Sequence, residues 1–153
     1  MQIKIDTSGR VGELDKNTYL AFSDDDNPNF KYSIFLSAKI KNTIHRKFKS
    51  KVTDFFDKFH TILIYYCIRD HISQFENIQI CPEGVNPRKL KKYLSDRFNE
   101  NQDWRRLDSA KQIEISPVGK KCAAHKYLSE LRKGNKRDVN QKLTQSMITR
   151  LLK

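Results

Sequence analysis

The stretch that decides the fold is IKIDTSG, residues 3–9. Apolar and polar residues alternate along it, as in a strand with one buried face, so we expect Ile3 and Ile5 to point into a core. By the same alternation Asp6 is expected on the solvent face near the strand's carboxyl end, and Gly9 allows a tight turn. A carboxylate fixed at a strand end suits a metal ion, and it equally suits the capping of its own turn.

Two more strands are predicted directly after the first. One covers residues 19–22, and the other covers residues 30–41 and can extend to His45, because apolar side chains recur at every second position. Residues 24–29 are predicted to form the connecting turn. Consecutive strands joined by short turns indicate an antiparallel meander.

The middle of the chain predicts a long helix and a fourth strand. Residues 52–72 carry apolar side chains at spacings of three and four, which is typical of a helical face. Residues 61–67 are apolar on all sides, so a strand is the alternative for that part. The fourth strand is predicted over residues 78–81, just before Glu83.

The remaining elements begin with the clearest helix start in the chain. Asn86 is a favourable N-cap, and Pro87 suits the first helical position. A polar loop follows in which Trp104 either stacks on a base or packs under the loop. One strand and two helices are predicted after it: residues 112–115, 122–132 and 138–152.

The chain is expected to be one domain over residues 1–133, with a basic helical extension over residues 134–153. The extension is predicted to present an apolar stripe on one face. Its members are Val139, Leu143, Met147 and Leu151. Such a stripe is expected to dock a partner protein or a second copy of the chain.

The charge of the chain indicates a polyanionic partner. There are 30 Lys and Arg residues against 18 Asp and Glu residues, for a net charge of +12. A surplus of this size creates a long-range attractive field, and nucleic acid is the simplest partner for it. The basic residues predicted to contact phosphates are Lys39, Lys41, Arg46, Lys47, Lys49, Lys51, Lys89, Lys92, Lys133, Lys136 and Arg137.

The cysteines and the apolar runs predict a cytoplasmic protein with no membrane partner. The 3 cysteines are odd in number and widely spaced, which argues against a disulfide framework. The amino terminus has no signal-peptide pattern, and no apolar run is long enough to span a bilayer. Cys122 and His125 lie one helical turn apart, but zinc would need two further ligands, and no Cys-x-x-Cys pair supplies them.

The predicted order of elements is three strands, then a helix and a strand in alternation, ending on a helix. This order, opened by a strand that carries Asp6, resembles the ribonuclease H-like fold. Residues 5–9, IDTSG, also resemble the Asp-Glu-Ser-Gly start of a family of uncharacterised ribonuclease H-like domains. The resemblance implies an α/β domain with a mixed five-stranded sheet and flanking helices.

The resemblance also implies a set of metal ligands. In that superfamily a first-strand Asp and an acid after the fourth strand help to hold two divalent ions, and Asp6 and Glu83 match these positions. The implied cofactor is Mg²⁺ or Mn²⁺. An acid from the first helix would be Asp54 or Asp57, and a final ligand from the last core helix would be His125.

The implied activity is phosphodiester cleavage by a nuclease with two metal ions. His125 would be a ligand or would assist proton transfer to the leaving group. The sequence departs from the family, because Thr7 stands where the family has Glu and the family's late Asp is absent. The alternative is a non-catalytic nucleic-acid-binding module with an eroded metal site.

Overall fold

Six strands and five helices are seen in the computed structural model, which describes residues 1–100, 112–134 and 138–152. The strands are β1 (Gln2–Ser8), β2 (Thr18–Ser23), β3 (Lys31–Leu36), β4 (Asn77–Ile80), β5 (Gln112–Ile115) and β6 (Gln141–Lys142). The helices are α1 (Ala38–Phe48), α2 (Phe55–Ile68), α3 (Pro87–Glu100), α4 (Ala123–Lys133) and α5 (Gln145–Thr149). A 3₁₀ turn, Ile72–Gln74, follows α2.

The strands form one mixed sheet in the order β5-β4-β1-β2-β3-β6. β1, β2 and β3 are antiparallel neighbours, so the predicted meander is confirmed. β4 is parallel to β1, and β5 is parallel to β4. The carboxyl ends of β1 and β4 therefore meet at one edge of the sheet. The predicted α/β class is confirmed, with six strands in the described part of the chain where five were expected.

Helices cover both faces of the sheet. On one face α2 packs on β2 and β3, and its buried side chains form the main core together with Ile3 and Ile5 of β1. On the other face α4 packs on β1 and β2, where Tyr127 and Leu128 belong to a second apolar cluster with Tyr19 of β2. No helix in the described ranges is long and apolar enough to cross a membrane.

The expectation that Asp6 faces solvent is wrong. Its side chain does lie opposite Ile5, as the alternation requires, but the residue is only 5% exposed. The reason is that β1 is a central strand and α4 covers its second face. The face of β1 that carries Asp6 was expected to contact water, but it is buried under α4.

The long central helix is confirmed, with shorter bounds. α2 covers Phe55–Ile68, so the helix predicted for residues 61–67 is correct and the strand alternative is wrong. The predicted helix extended to residue 72, but α2 ends at Ile68, and Ile72–Gln74 form a separate 3₁₀ turn. Eleven of its residues are buried, which explains why the segment is apolar on all sides.

The predicted strand over residues 30–41 is wrong in its second half. β3 ends at Leu36, and Ser37 caps α1 by accepting a hydrogen bond from the Ile40 N–H at 3.2 Å. Ile40 fits the two-residue period of β3, but it also lies four residues before the buried Ile44. The helical spacing prevails because Ser37 ends the strand and starts a helix.

The predicted helix over residues 138–152 is also wrong. This segment forms β6, which is parallel to β3, and the short helix α5. Leu143 and Ile148 are buried in the main core, and Met147 and Leu151 pack against it. The apolar side chains that were expected to dock a partner are therefore used within the chain.

Candidate functional site

Three potential metal ligands meet where β1 and β4 end. Asp6 lies on β1, and Cys81 and Glu83 follow β4. One ligand atom from each of these side chains lies within 4.8 Å of the other two. The two strands are held in register at this point by a hydrogen bond of 3.0 Å from the Cys81 N–H to the Ile5 carbonyl. The predicted convergence of Asp6 and Glu83 is therefore present.

Asp6 is fixed by bonds to both of its oxygens. Oδ1 accepts from the Thr7 N–H at 2.9 Å, and Oδ2 accepts from Nδ1 of His125 at 3.0 Å. His125 lies in the first turn of α4, where its N–H contacts the Cys122 sulfur at 3.4 Å. The first turn of α4 thus brings the His125 imidazole to the buried carboxylate of Asp6. The Cys122 sulfur caps this turn and does not belong to the group of potential metal ligands.

Glu83 is the partly buried member of the carboxylate pair. Its Oε2 lies 3.3 Å from Nε of Arg10, and its Oε1 accepts from the Cys81 thiol at 3.2 Å. Burial and the neighbouring Asp6 carboxyl raise the pKa of Glu83. Burial and the Glu83 carboxyl raise the pKa of Cys81 to about 12. Two carboxyls at close range in a poorly solvated site favour a cation between them.

The donor set fits a divalent ion of the Mg²⁺ or Mn²⁺ class. Such ions are commonly held by one or two carboxylates, with waters and substrate phosphates as the other ligands. Asp6 and Glu83 supply those carboxylates. The Cys81 thiol is a soft donor that Mg²⁺ does not prefer, so the fit rests on the two carboxylates.

The structure does not bring the predicted helix acids into this group. Asp54 binds Lys89 at 2.8 Å and the Tyr93 hydroxyl at 2.6 Å, and these bonds lower the pKa of Asp54. Asp57 accepts from the Asn86 N–H at 2.9 Å. Both carboxyls therefore fasten the start of α2 to the start of α3. Within the described ranges, two carboxylates form the cluster where three were expected.

The predicted phosphate-contacting residues are mostly exposed, with one correction. Lys41 was predicted to bind phosphate, but it is 0% exposed, and its ammonium donates to the Arg10 carbonyl and the Thr18 hydroxyl. Lys89 is exposed and paired with Asp54. The other exposed members are Lys39, Arg46, Lys47, Lys49, Lys51, Lys92 and Lys133. Lys136, Arg137 and the predicted loop residue Trp104 lie outside the described residues.

Sequence reasoning missed two residues of the site. Cys81 is the last residue of the predicted fourth strand and was not predicted to belong to the site, although it stands two positions before Glu83. Arg10 directly follows Gly9 in the turn after the strand that carries Asp6. This position could have indicated that Arg10 lies near Glu83, because the turn after one strand of a parallel pair lies beside the end of the other strand.

Comparison of this chain with family models, with curated proteins and with solved structures finds no match in any of the three.

Proposed function

We propose that this protein is a Mg²⁺- or Mn²⁺-dependent nuclease of ribonuclease H-like type. The observation that carries the proposal is the meeting of Asp6 and Glu83, whose ligand atoms lie within 4.8 Å at the ends of two parallel strands. The order of elements gives further support, because a three-stranded meander is followed by β4 and β5 in parallel. The net charge of +12 supports nucleic acid as the substrate.

The two carboxylates and His125 have different roles under this proposal. A divalent ion, when bound, supplies activation of water and stabilisation of charge on the phosphodiester. Asp6 and Glu83 hold it. Asp6 also orients His125 through the bond to Nδ1, and the imidazolium form of His125 would then donate its Nε2 proton to the leaving oxygen. The His125 side chain is 36% exposed, so substrate can reach it.

A second function is favoured by one observation. The two carboxylates already have basic neighbours, since Arg10 binds Glu83 and His125 binds Asp6. Together with the lack of a third carboxylate among the described residues, this favours a nucleic-acid-binding module that does not cleave. Contacts of that kind give affinity with strong salt dependence and no base specificity.

The test is a cleavage assay on labelled RNA, DNA and hybrid oligonucleotides, single- and double-stranded, with Mg²⁺, with Mn²⁺ and with chelator. We expect cleavage that requires the metal, and we expect Asp6→Asn to reduce it about 1,000-fold or more because a ligand is lost. Asp15→Asn is the matched control, because Asp15 is an exposed acid outside the group. Circular dichroism would verify that both variants are folded.

The outcomes separate the two functions. Cleavage that survives Asp6→Asn would remove Asp6 from the chemistry and contradict the proposal. Binding that weakens with salt, without cleavage of any substrate under either metal, would establish the binding module. Binding that is insensitive to salt would contradict the binding module and the predicted contacts of the basic residues with phosphates.

A further inference from the structure

Arg10 lies at the proposed metal site, and binding of a metal ion does not account for an arginine there. Its Nε lies 3.3 Å from Oε2 of Glu83, yet its side chain is 56% exposed while that of Glu83 is 17% exposed. Within the described part of the chain, Nη1 and Nη2 make no hydrogen bond. The guanidinium therefore faces solvent beside the carboxylate pair, with most of its donors available.

The backbone around this side chain is built to hold it there. The Arg10 N–H donates to Oε1 of Glu13 at 3.0 Å, and the Arg10 carbonyl accepts from the Glu13 N–H at 3.0 Å. Gly84 adopts a φ of +82°, and a β-carbon there would lie 3.2 Å from Nη1 of Arg10. The absence of a side chain at Gly84 thus leaves room for the guanidinium next to Glu83.

Lys41 adds a buried ammonium to this arrangement. Its Nζ donates to the Arg10 carbonyl at 3.0 Å and to the Thr18 hydroxyl at 2.9 Å, and that hydroxyl donates to the Gly9 carbonyl at 2.6 Å. Among the described residues no carboxylate bonds to it. Burying an ammonium is costly, and burial lowers the pKa of Lys41 to about 8. All of its bonds go to the two ends of the turn that carries Arg10.

We propose that Arg10 binds the substrate's phosphate beside the metal site, that its bond to Glu83 is the substrate-free arrangement, and that Lys41 is a positioning residue for Arg10. A guanidinium presents paired donors that match two phosphate oxygens, which a solvated lysine does not. The inference rests on the proposed function, because it concerns the same site and the same substrate class.

For Arg10→Ala the proposal predicts a stronger affinity for Mn²⁺ and a slower cleavage of the oligonucleotide. Arg10 competes with a divalent ion for Oε2 of Glu83, so Arg10→Ala should raise the affinity for Mn²⁺ several-fold. The same substitution removes a phosphate contact, so it should lower kcat/KM for cleavage about 100- to 1,000-fold. A residue that serves only the fold would lower both the affinity and the cleavage.

The experiment titrates Mn²⁺ by calorimetry and measures cleavage for Arg10→Ala, for Arg10→Lys and for a control, Lys142→Gln. Lys142 is an exposed cation on β6, at the far edge of the sheet from β4, so its substitution removes the same charge elsewhere. We expect Arg10→Lys to recover only a small part of the cleavage, because lysine lacks the planar fork. Thermal unfolding would show whether each variant is folded.

Lys41 is tested through Arg10. Lys41→Met should lower kcat/KM in the wild-type background and cause no further loss in the Arg10→Ala background, since it acts on Arg10 alone. An equal loss in both backgrounds would overturn its positioning role. For Arg10, cleavage equal to that of Lys142→Gln, or a reduced Mn²⁺ affinity, would overturn the proposal.

Failure of the proposed function would give a different result. If the wild-type protein cleaves no oligonucleotide, the same probes are used to measure binding with Mn²⁺ present. Arg10→Ala should then weaken binding about five-fold or more relative to Lys142→Gln. Equal affinities of these two variants would overturn the inference about Arg10.

Discussion

Nδ1 of His125 lies 3.0 Å from Oδ2 of Asp6, across 119 residues of chain. The bond joins the first turn of α4 to β1, on the face of the sheet opposite the main core. It ties the position of α4 to the carboxylate that is the proposed metal ligand. One contact thus couples the packing of a helix to the chemistry of the site.

Replacement of His125 should slow the chemical step more than it weakens binding. With His125→Ala we expect kcat to fall about 100-fold while KM changes little, because in the proposed mechanism the imidazole moves a proton and does not hold the substrate. His45→Gln is the control, because His45 packs on Phe55 and Phe56, away from the ligand group. Steady-state cleavage kinetics provide the measurement. A loss confined to KM would contradict the assigned role.

The thiols should react slowly in the folded protein. Burial raises the pKa of Cys67 and of Cys122, and burial with the Glu83 carboxyl raises the pKa of Cys81 to about 12. At about pH 8 we expect modification by a disulfide reagent to be about 100-fold slower than in urea, because the thiolate is the reactive form. Cys81 is the most exposed of the three, so Cys81→Ser should remove the first phase. Rapid reaction of any thiol before unfolding would argue against this prediction.

His60 should make the protein sensitive to acid. Burial lowers the pKa of this imidazole to about 4, below its ordinary value of 6.5. Between these values the unfolded chain binds a proton that the folded chain does not, so the free energy of unfolding falls as the pH falls from about 6.5 to 4. The full contribution is about 3 kcal/mol.

The measurement for His60 is urea unfolding at several pH values through this range. His60→Gln lacks the titrating group, so its free energy of unfolding should depend less on pH than that of the wild-type protein. Parallel curves for the two proteins would show that His60 is not the cause.

Asp25 should stabilise the protein by capping α4. Its Oδ1 accepts from the Ala123 N–H at 2.8 Å, and its Oδ2 pairs with Lys4 at 2.6 Å. Burial opposes the charged form, but these bonds outweigh it and lower the pKa of Asp25. Asp25→Ala should cost about 1 kcal/mol, the usual effect of a lost cap, and Asp26→Ala is the neighbouring control. Chemical denaturation compares the two, and equal stabilities would refute the capping role.

Gly9 precedes Arg10 in the turn between β1 and β2, and Gly119, which lies outside that turn, is the matched control glycine. Both have positive φ, +77° and +83°, but a β-carbon at Gly9 would lie 2.0 Å from the Asn17 carbonyl oxygen, whereas at Gly119 it would meet nothing within 4 Å. Gly119→Ala should cost about 1 kcal/mol, the usual penalty of this conformation. Gly9→Ala should cost at least about 2 kcal/mol more, because the backbone must also shift. Comparable losses in thermal unfolding would contradict this difference.

Local patterns predicted the elements that bring the carboxylates together. The alternation in residues 3–9 identified β1, and the Asn86-Pro87 pair identified the start of α3, where Asn86 accepts from the Arg88 N–H at 3.0 Å. These two features depend on neighbours in sequence, so they are readable without the fold. The nearness of Glu83 to Asp6 was implied instead by the resemblance to the ribonuclease H-like order of elements, because the parallel pairing of β4 with β1 joins residues far apart in sequence.

The features that were missed depend on residues far apart in sequence. Arg10 meets Glu83 across 73 residues, and Lys41 meets the Arg10 carbonyl across 31. No local signal distinguishes a buried lysine from the exposed ones around it in α1. Likewise the apolar side chains of residues 138–152 fit one long helix as well as they fit β6 and α5. The observed structure depends on the pairing of β6 with the open edge of β3, which is a contact between distant residues.

The pairing of β6 with β3 has a consequence for the making of the protein. A hydrogen bond of 2.9 Å between Ser33 and Asn140 spans 107 residues, and Leu143 also bonds to the Phe35 carbonyl. At a synthesis rate of about 5 to 20 residues per second, β3 leaves the ribosome as an unpaired edge for about 5 to 20 seconds before its partner strand exists. An unpaired edge is a template for pairing with other chains. Aggregation and the need for chaperones are therefore expected to be concentrated in the nascent chain.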